Sequence, residues 1–216
     1  MPDAKHDWIS GLDATGLLVS EPVLQQHFPD DPPPIGESLR RRATTEWERF
    51  QLRPDSQAQW LDLVLEELTG IGRASWRRHP EIPEQTTHAL AEYRQTLRPS
   101  RVLVDDAGEP LLLVWTAPAG HDLDRRETES GTWRASPSTK LERLMREVDV
   151  PLGLATNGRQ FRLMFAGEGV TPHITWTATN WMDDPQSLDA FAMLLGRERF
   201  FGDEKARLLA LVEESQ

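Results

Sequence analysis

The stretch 98–124, RPSRVLVDDAGEPLLLVWTAPAGHDLD, sets the tightest limit on what this chain can fold into. It predicts two β-strands, 101–104 and 110–117, joined by a tight turn over 105–108. Asp and Gly give the turn its backbone freedom, and the apolar runs on either side give the strands. Residues 111–115 are apolar at every position. A strand covered on one face alternates apolar with polar, whereas a strand at the centre of an α/β sheet is covered on both faces and does not. The hairpin is therefore expected at the centre, with the other elements laid around it.

Those elements follow from periodicity. Pro22 in the first turn and a cap at Ser20 mark a short helix over 21–27. The Pro-rich run FPDDPPPIG then breaks the helix and acts as a stiff surface connector. Leu39, Ala43, Trp47 and Phe50 share one face of a helix over 37–52. A stronger helix over 55–69 has Asp55 as its N-cap and Trp60, Leu61, Val64, Leu65 and Leu68 as its stripe, with Gly70 and Gly72 ending it. Residues 83–97 read as another helix, with Leu90, Tyr93 and Leu97 inward. Residues 121–131 are polar, without periodicity, and read as a loop. Ser136 caps a helix with Pro137 in its first turn, and Leu141, Leu144, Met145 and Val148 form its core face up to Pro151. LGLATNGRQFRLMF follows as strand, Asn157-Gly158 turn and strand. A strand over 173–177 and helices over 186–195 and 203–214 complete the chain.

The order predicts an α/β (α+β) fold, a mixed central sheet flanked by helices. Its expected parts are an N-terminal helical portion over 1–97 packing on the core, a sheet core over 98–182, and C-terminal helices over 183–216. The last helix has no marked terminator, which suggests the front part of a longer protein.

Composition narrows the function. With no cysteine among 216 residues, disulfides and thiolate metal sites are excluded. No two of the six histidines stand three to five residues apart, which argues against a histidine-built zinc site. No apolar run reaches the roughly 20 residues that span a bilayer, and the start MPDAKHDWIS has no apolar signal core. The expectation is a cytoplasmic protein with no membrane partner. A net charge of −11 disfavours non-specific binding to nucleic acid. All but three of the 24 basic residues are arginine, so a catalytic lysine must be Lys5, Lys140 or Lys205.

VLVDDAGEPLLLV, followed by KLERLMREVDVPLGLATNGRQFRLMF, resembles the N-terminal region of large adenine-specific restriction–modification methylases. These are the type IIG enzymes and their relatives in anti-phage systems such as DISARM. GLLVSEPVLQQHF and WLDLVLEELTG extend the resemblance over most of the chain, thinly outside these motifs. In that family the region is a nuclease-like domain of the PD-(D/E)xK fold, ahead of the methylase domain. The resemblance implies an Asp at the start of one strand and a Glu on the next, which bind Mg²⁺ through hard oxygens. It also implies a Lys two residues after the Glu, on the same face of the strand, to orient or activate water. The metal polarises the phosphate and lowers the pKa of the water.

The chain departs from this pattern at every position. Ser100 follows Pro99 where the family has Pro-Asp, and Trp115-Thr116-Ala117 stands where the pattern needs Glu-x-Lys. Residues 110–120 contain no acid and no lysine. The resemblance thus implies a degenerate nuclease-like fold, with no catalytic residue, metal or cofactor in this chain and with the Trp115 ring filling the pocket. It would serve as a scaffold or DNA-proximal module, its partners being DNA, a methylase domain or other defence-system subunits. No adenosylmethionine-binding or methylase motif is present.

Two other readings stand beside this one. An active Mg²⁺-dependent endonuclease would need a migrated site, for which Asp105, Lys140 and Glu142 are the candidates; Asp106, Asp122, Asp124, Glu66 and Glu67 could add a carboxylate. Against it, Asp105 and Asp106 form a turn, Asp122 and Asp124 are loop acids, and Lys140 pairs with a neighbour. A protein-interaction module would use Trp133, Trp176 and Trp181, which are otherwise core. The residues assigned to DNA are Lys140, Arg143, Arg146, Arg159 and Arg162, five bases against three acids over that stretch. Arg40–Arg42 are weighed as phosphate contacts against a solvated face balanced by Glu37, Glu46 and Glu48, and the arginines around Trp76 as a nucleic-acid grip against a tryptophan that plugs a core edge; the second reading is favoured in each case.

Overall fold

The computed structural model describes residues 13–16, 18–127, 133–167 and 169–215. Residues 128–131 of the expected loop lie outside them. The chain divides into two compact units, one made of residues 1–72 with 174–216 and the other of Arg73–His173.

The unit Arg73–His173 carries the predicted hairpin. Its elements are β1 (Trp76–Arg78), β2 (His88–Leu90), β3 (Gln95–Leu97), β4 (Arg101–Val104), β5 (Pro110–Thr116), α1 (Pro137–Glu147), β6 (Leu152–Thr156) and β7 (Gln160–Phe165). β4 pairs antiparallel with β1 and with β5, β6 runs parallel to β5, and β7 returns antiparallel to β6. Within this unit the strands lie in the order β1-β4-β5-β6-β7, while β2 and β3 form a separate two-stranded sheet. The fold is mixed α/β, with a mixed sheet and helices.

The centre of the sheet is where the apolar run requires it. Leu112, Leu113 and Val114 alternate in direction along β5, and each is at most 2% exposed. At the β4–β5 turn the Asp105 carboxylate accepts the backbone N–H groups of Ala107 (2.9 Å) and Glu109 (2.8 Å). Gly108 takes a φ of 88°, open to glycine but strained for other residues.

The crossover from β5 to β6 is made by α1. Ser136 caps it as expected, its Oγ accepting from Thr139 N–H at 3.2 Å, with Pro137 behind. Leu141, Leu144 and Met145 are buried, and Val148 is half-buried just past the helix end. The helix closes at Glu147, before Pro151, because Asp149 turns into the left-handed region at φ 54°. Beneath α1 lies Gly153 of β6. A Cβ there would run into the Met145 sulfur and come within 3.1 Å of Leu141 Cδ2, so the helix sits directly on bare backbone.

Residues 83–97 do not form the expected helix. They make a short 3-10 turn (Glu84–Thr86), β2, a second 3-10 turn (Ala91–Tyr93) and β3. Leu90 and Leu97 are both buried, but from two facing strands, in which Ala89 and Thr96 point outward. Their spacing of seven suits a helix and a hairpin alike; Arg94, left-handed at φ 49°, decides for the hairpin.

The other unit holds the helices Glu21–His27, Glu37–Leu52 and Gln57–Asp62, the last continuing as a wider π-turn over Leu63–Leu68. Ser20 precedes its helix without a side-chain capping bond, and Asp55 lies inside a 3-10 turn, so neither is the expected cap. Helices Pro185–Leu194 and Leu208–Glu214 follow the strand His173–Thr177. The core is aromatic: Trp47 meets Trp60 at 5.6 Å between ring centroids, Trp60 meets Trp181 at 6.2 Å, and Phe191 contacts both Trp181 and Trp176.

Gly153→Val is expected to destabilise the protein by about 1–3 kcal/mol through overpacking under α1. Adding Met145→Ala should recover part of that loss, a non-additivity read by urea unfolding of the two single variants and the double variant.

Candidate functional site

The positions where the resemblance calls for a catalytic site do converge, but not with catalytic groups. Ser100 precedes β4, and its N–H and Oγ both donate to the Val114 carbonyl of β5, at 2.8 and 2.9 Å. Its Oγ also lies 2.8 Å from Thr116 Oγ1, so the two hydroxyls are joined directly. Ala117 is buried, and its N–H donates to Thr156 O at 2.7 Å, carrying the parallel β5–β6 pairing one step further. Trp115 is half-buried and packs on the core cluster under α1. A hydroxyl pair, an indole and a methyl supply neither a carboxylate for a metal nor an amine for water activation.

Ser100, Trp115 and Thr116 open onto a cavity of about 710 Å³ lined also by Arg98, residues 118–121, Arg125, Arg126 and Glu127. The expectation that the Trp115 ring fills the pocket is corrected: the ring is a wall. The opposite wall is the segment after β5, and it is tied down elsewhere. Asn157 Nδ2, at the β6–β7 turn, donates to the His121 carbonyl at 2.9 Å. Arg162 of β7, nearly inaccessible to solvent, pairs with Asp124 and donates to Ser138 Oγ at 3.0 Å. Lys140 of α1, 1% exposed, forms an ion pair with Glu127. Held at three points, the segment leaves the space beside Trp115 open.

The charge of this cavity runs against that of the chain. Arg98, Arg125 and Arg126 are exposed and line it, and no ion pair among the described residues holds their guanidinium groups. The only carboxylate among its described lining residues, Glu127, is matched by Lys140. The three tethers thus leave a surplus of positive charge facing solvent, next to an indole.

The remaining candidates are engaged elsewhere. Asp105 is the turn former described above. Glu142 accepts from Thr171 Oγ1 at 2.6 Å and pairs with Arg146, which also donates to the carbonyls of Gly167 and Gly169. Of the residues assigned to DNA, Lys140 and Arg162 are therefore corrected to buried ion-pair partners, and Arg146 to a brace for the loop after β7. Arg143 is half-exposed beside Glu147 at 2.7 Å, and Arg159 is exposed. Trp176 and Trp181 are core residues and not contact surface; Trp133 stacks on Tyr93 at 5.7 Å. Arg40 and Arg42 pair with Asp189 and Glu67, not with the acids of their own helix.

Sequence reading missed Arg98, His121, Arg125 and Arg126. The signal was there: HDLDRRE follows the central strand, and ligand crevices in α/β sheets lie outside the carboxyl ends of their strands. Among the described residues no group of three His, Asp or Glu side chains is placed to hold a metal ion. No protein-family model, curated protein or solved structure matches the chain.

The Asp124 tether titrates. The hydrogen bond from Arg162 holds its carboxyl below the ordinary 3.8; partial burial opposes this, and the Arg162 charge and a Ser138 hydrogen bond add to it. A lowered folded-state pKa contributes stability above the unfolded value, and that stability is lost as pH falls through the folded one. Asp124 is well exposed, so water screens the effect. Urea midpoints of the wild type should therefore exceed those of Asp124→Asn from neutral pH down to about 4, with the gap closing at lower pH. A gap that is constant across pH would contradict this role.

Proposed function

We propose that this chain is a nuclease-like, catalytically inactive domain of an anti-phage restriction–modification methylase, serving as a scaffold or DNA-proximal module. The observation that carries this reading is the hydroxyl pair Ser100–Thr116 beside Trp115 and Ala117. The positions that the resemblance marks for metal and water activation come together there, without a group able to do either. The hairpin, crossover helix and second hairpin that carry the sequence resemblance share one unit, which also supports it. Methyl transfer would then belong to another domain. The surface for duplex DNA in this reading is Arg143 and Arg159, exposed members of the basic stretch that, unlike Arg146, do not brace the loop after β7.

A second reading, a Mg²⁺-dependent endonuclease with a migrated site, draws on one observation. Lys140 reaches from the helix after β5 to Glu127 at the edge of the cavity. A carboxylate and an amine meet there, although Asp105 and Glu142, the other acids of that scheme, are engaged in a turn and a loop brace.

Supercoiled plasmid incubated with the protein and Mg²⁺ or Mn²⁺ is expected to stay intact. Metal-dependent nicking that disappears in Lys140→Ala would overturn the inactive-domain reading in favour of the second. In parallel, Arg143→Glu with Arg159→Glu should weaken duplex binding and flatten the logarithmic salt slope by about 1.8, for two phosphate contacts. Unchanged binding by the double variant removes that surface.

A further inference from the structure

We propose that the cavity beside Trp115 receives one unpaired, phosphate-bearing nucleotide of a DNA strand, its base against the indole and its phosphate among Arg98, Arg125 and Arg126. The inference goes beyond the scaffold role and rests on it only in taking DNA as the source of the nucleotide. Four features of the cavity, each independent of the resemblance, converge on this ligand.

The first is charge. In a chain of net charge −11, three arginines without carboxylate partners among the described residues line one concavity, and the one acid among its described lining residues is matched by Lys140. A cleft lined by one sign of charge focuses field and concentrates counter-ions. Guanidinium groups match phosphate oxygens in a planar, two-point geometry.

The second is the aromatic wall. Trp115 is half-buried at the end of a strand whose three preceding residues are all buried, and it packs on the core cluster. An indole anchored on its core side and open on its cavity side is a fixed stacking platform, which any base can use.

The third is size and shape. A volume of about 710 Å³ lies within the range of about 300–1,000 Å³ usual for small-ligand sites. It suits one or two nucleotides, whereas a duplex, whose major groove alone is about 12 Å wide, does not enter it. The ligand is therefore unpaired.

The fourth is position and rigidity. The cavity lies outside the carboxyl end of β5 and beside the start of β4, and α/β sheets place their ligand crevices at the carboxyl ends of their strands. Its loop wall is held by Asn157, Arg162 and Lys140 through His121, Asp124 and Glu127. Such a wall is already ordered, so binding need not immobilise it. The hydroxyls of Ser100 and Thr116 add neutral polar contacts.

The shared chemistry, a nucleoside phosphate, has two sources: the end of a single strand and a free mononucleotide. Fluorescence anisotropy with the full chain separates them. The probe is a short 5′-phosphorylated oligodeoxythymidylate labelled at its 3′ end, with thymidine 5′-monophosphate and a blunt duplex of the same length as competitors. The proposal expects the single strand to bind more tightly than either competitor. Trp115→Ala should weaken it about tenfold or more, and Trp115→Phe, which keeps a stacking ring, by less than threefold. Arg125→Gln with Arg126→Gln, both exposed and safe for folding, should weaken it and flatten the single-strand salt slope by about 1.4.

Loss of affinity in the arginine pair and in Trp115→Ala, with unchanged melting temperatures, supports the proposal. Equal affinity of wild type and the arginine pair overturns it, as does undetectable binding of the single strand. Competition by the mononucleotide at equal concentration overturns the strand source and leaves the nucleotide site. Duplex binding that persists in the pocket variants but falls with Arg143→Glu and Arg159→Glu keeps the DNA-proximal reading while removing this one.

Discussion

The burial of β5 is the constraint on which the rest depends. Leu112, Leu113 and Val114 cannot be left in water on either side, so the strand must be paired along both edges and covered on both faces. β4 meets one edge through the Asp105–Gly108 turn, and β6 meets the other in parallel. A parallel neighbour cannot be reached by a tight turn, which is why a helix-bearing crossover follows. α1 then packs onto the strand it has just reached, with Gly153 clearing space for Met145 and Leu141.

The same crossover creates the site. The chain leaving β5 must travel to α1, and on the way three polar groups of α1, β7 and the β6–β7 turn catch it: Lys140, Arg162 and Asn157. Burying Lys140 and Arg162 is costly unless each charge is matched, and Glu127 and Asp124 match them. Three of these charges, Lys140, Arg162 and Asp124, which sequence reading leaves open to DNA or metal, are thereby engaged in ion pairs. The arginines that remain, at 98, 125 and 126, face the cavity.

Much of this architecture was legible in the sequence. The apolar run, the Asp105–Gly108 and Asn157-Gly158 turns and the Ser136-Pro137 helix start are local signals that need no tertiary context. Residues 83–97 were misread because two leucines seven apart fit both periods, and the left-handed Arg94 leaves no composition signal. The site was legible in part. That Ser100 meets residues 114–116 follows from strand pairing, and the turn role of Asp105 was one of the two alternatives. The burial of Lys140 and Arg162 was not legible, since it depends on where a loop without periodicity is held. For the same reason the open cavity is not legible: Trp115 is large enough to fill a pocket, but it packs on the core cluster and the opposite wall is tethered elsewhere.

The functional account joins two statements about one place. The residues where a nuclease of this pattern would hold metal carry no ligand for it, and the space beside them offers an indole and arginines without ion pairs among the described residues. On the proposed reading, a concavity lined by neutral and cationic groups holds a nucleic-acid end without cutting it. The most direct test is a crystal structure of the chain with a 5′-phosphorylated oligodeoxythymidylate and Mn²⁺, using anomalous scattering to find the metal. The account predicts a base against Trp115, a phosphate within hydrogen-bonding distance of Arg98, Arg125 or Arg126, and no Mn²⁺ in the cavity. A Mn²⁺ ion bound by Glu127 and bridging to the phosphate would contradict it.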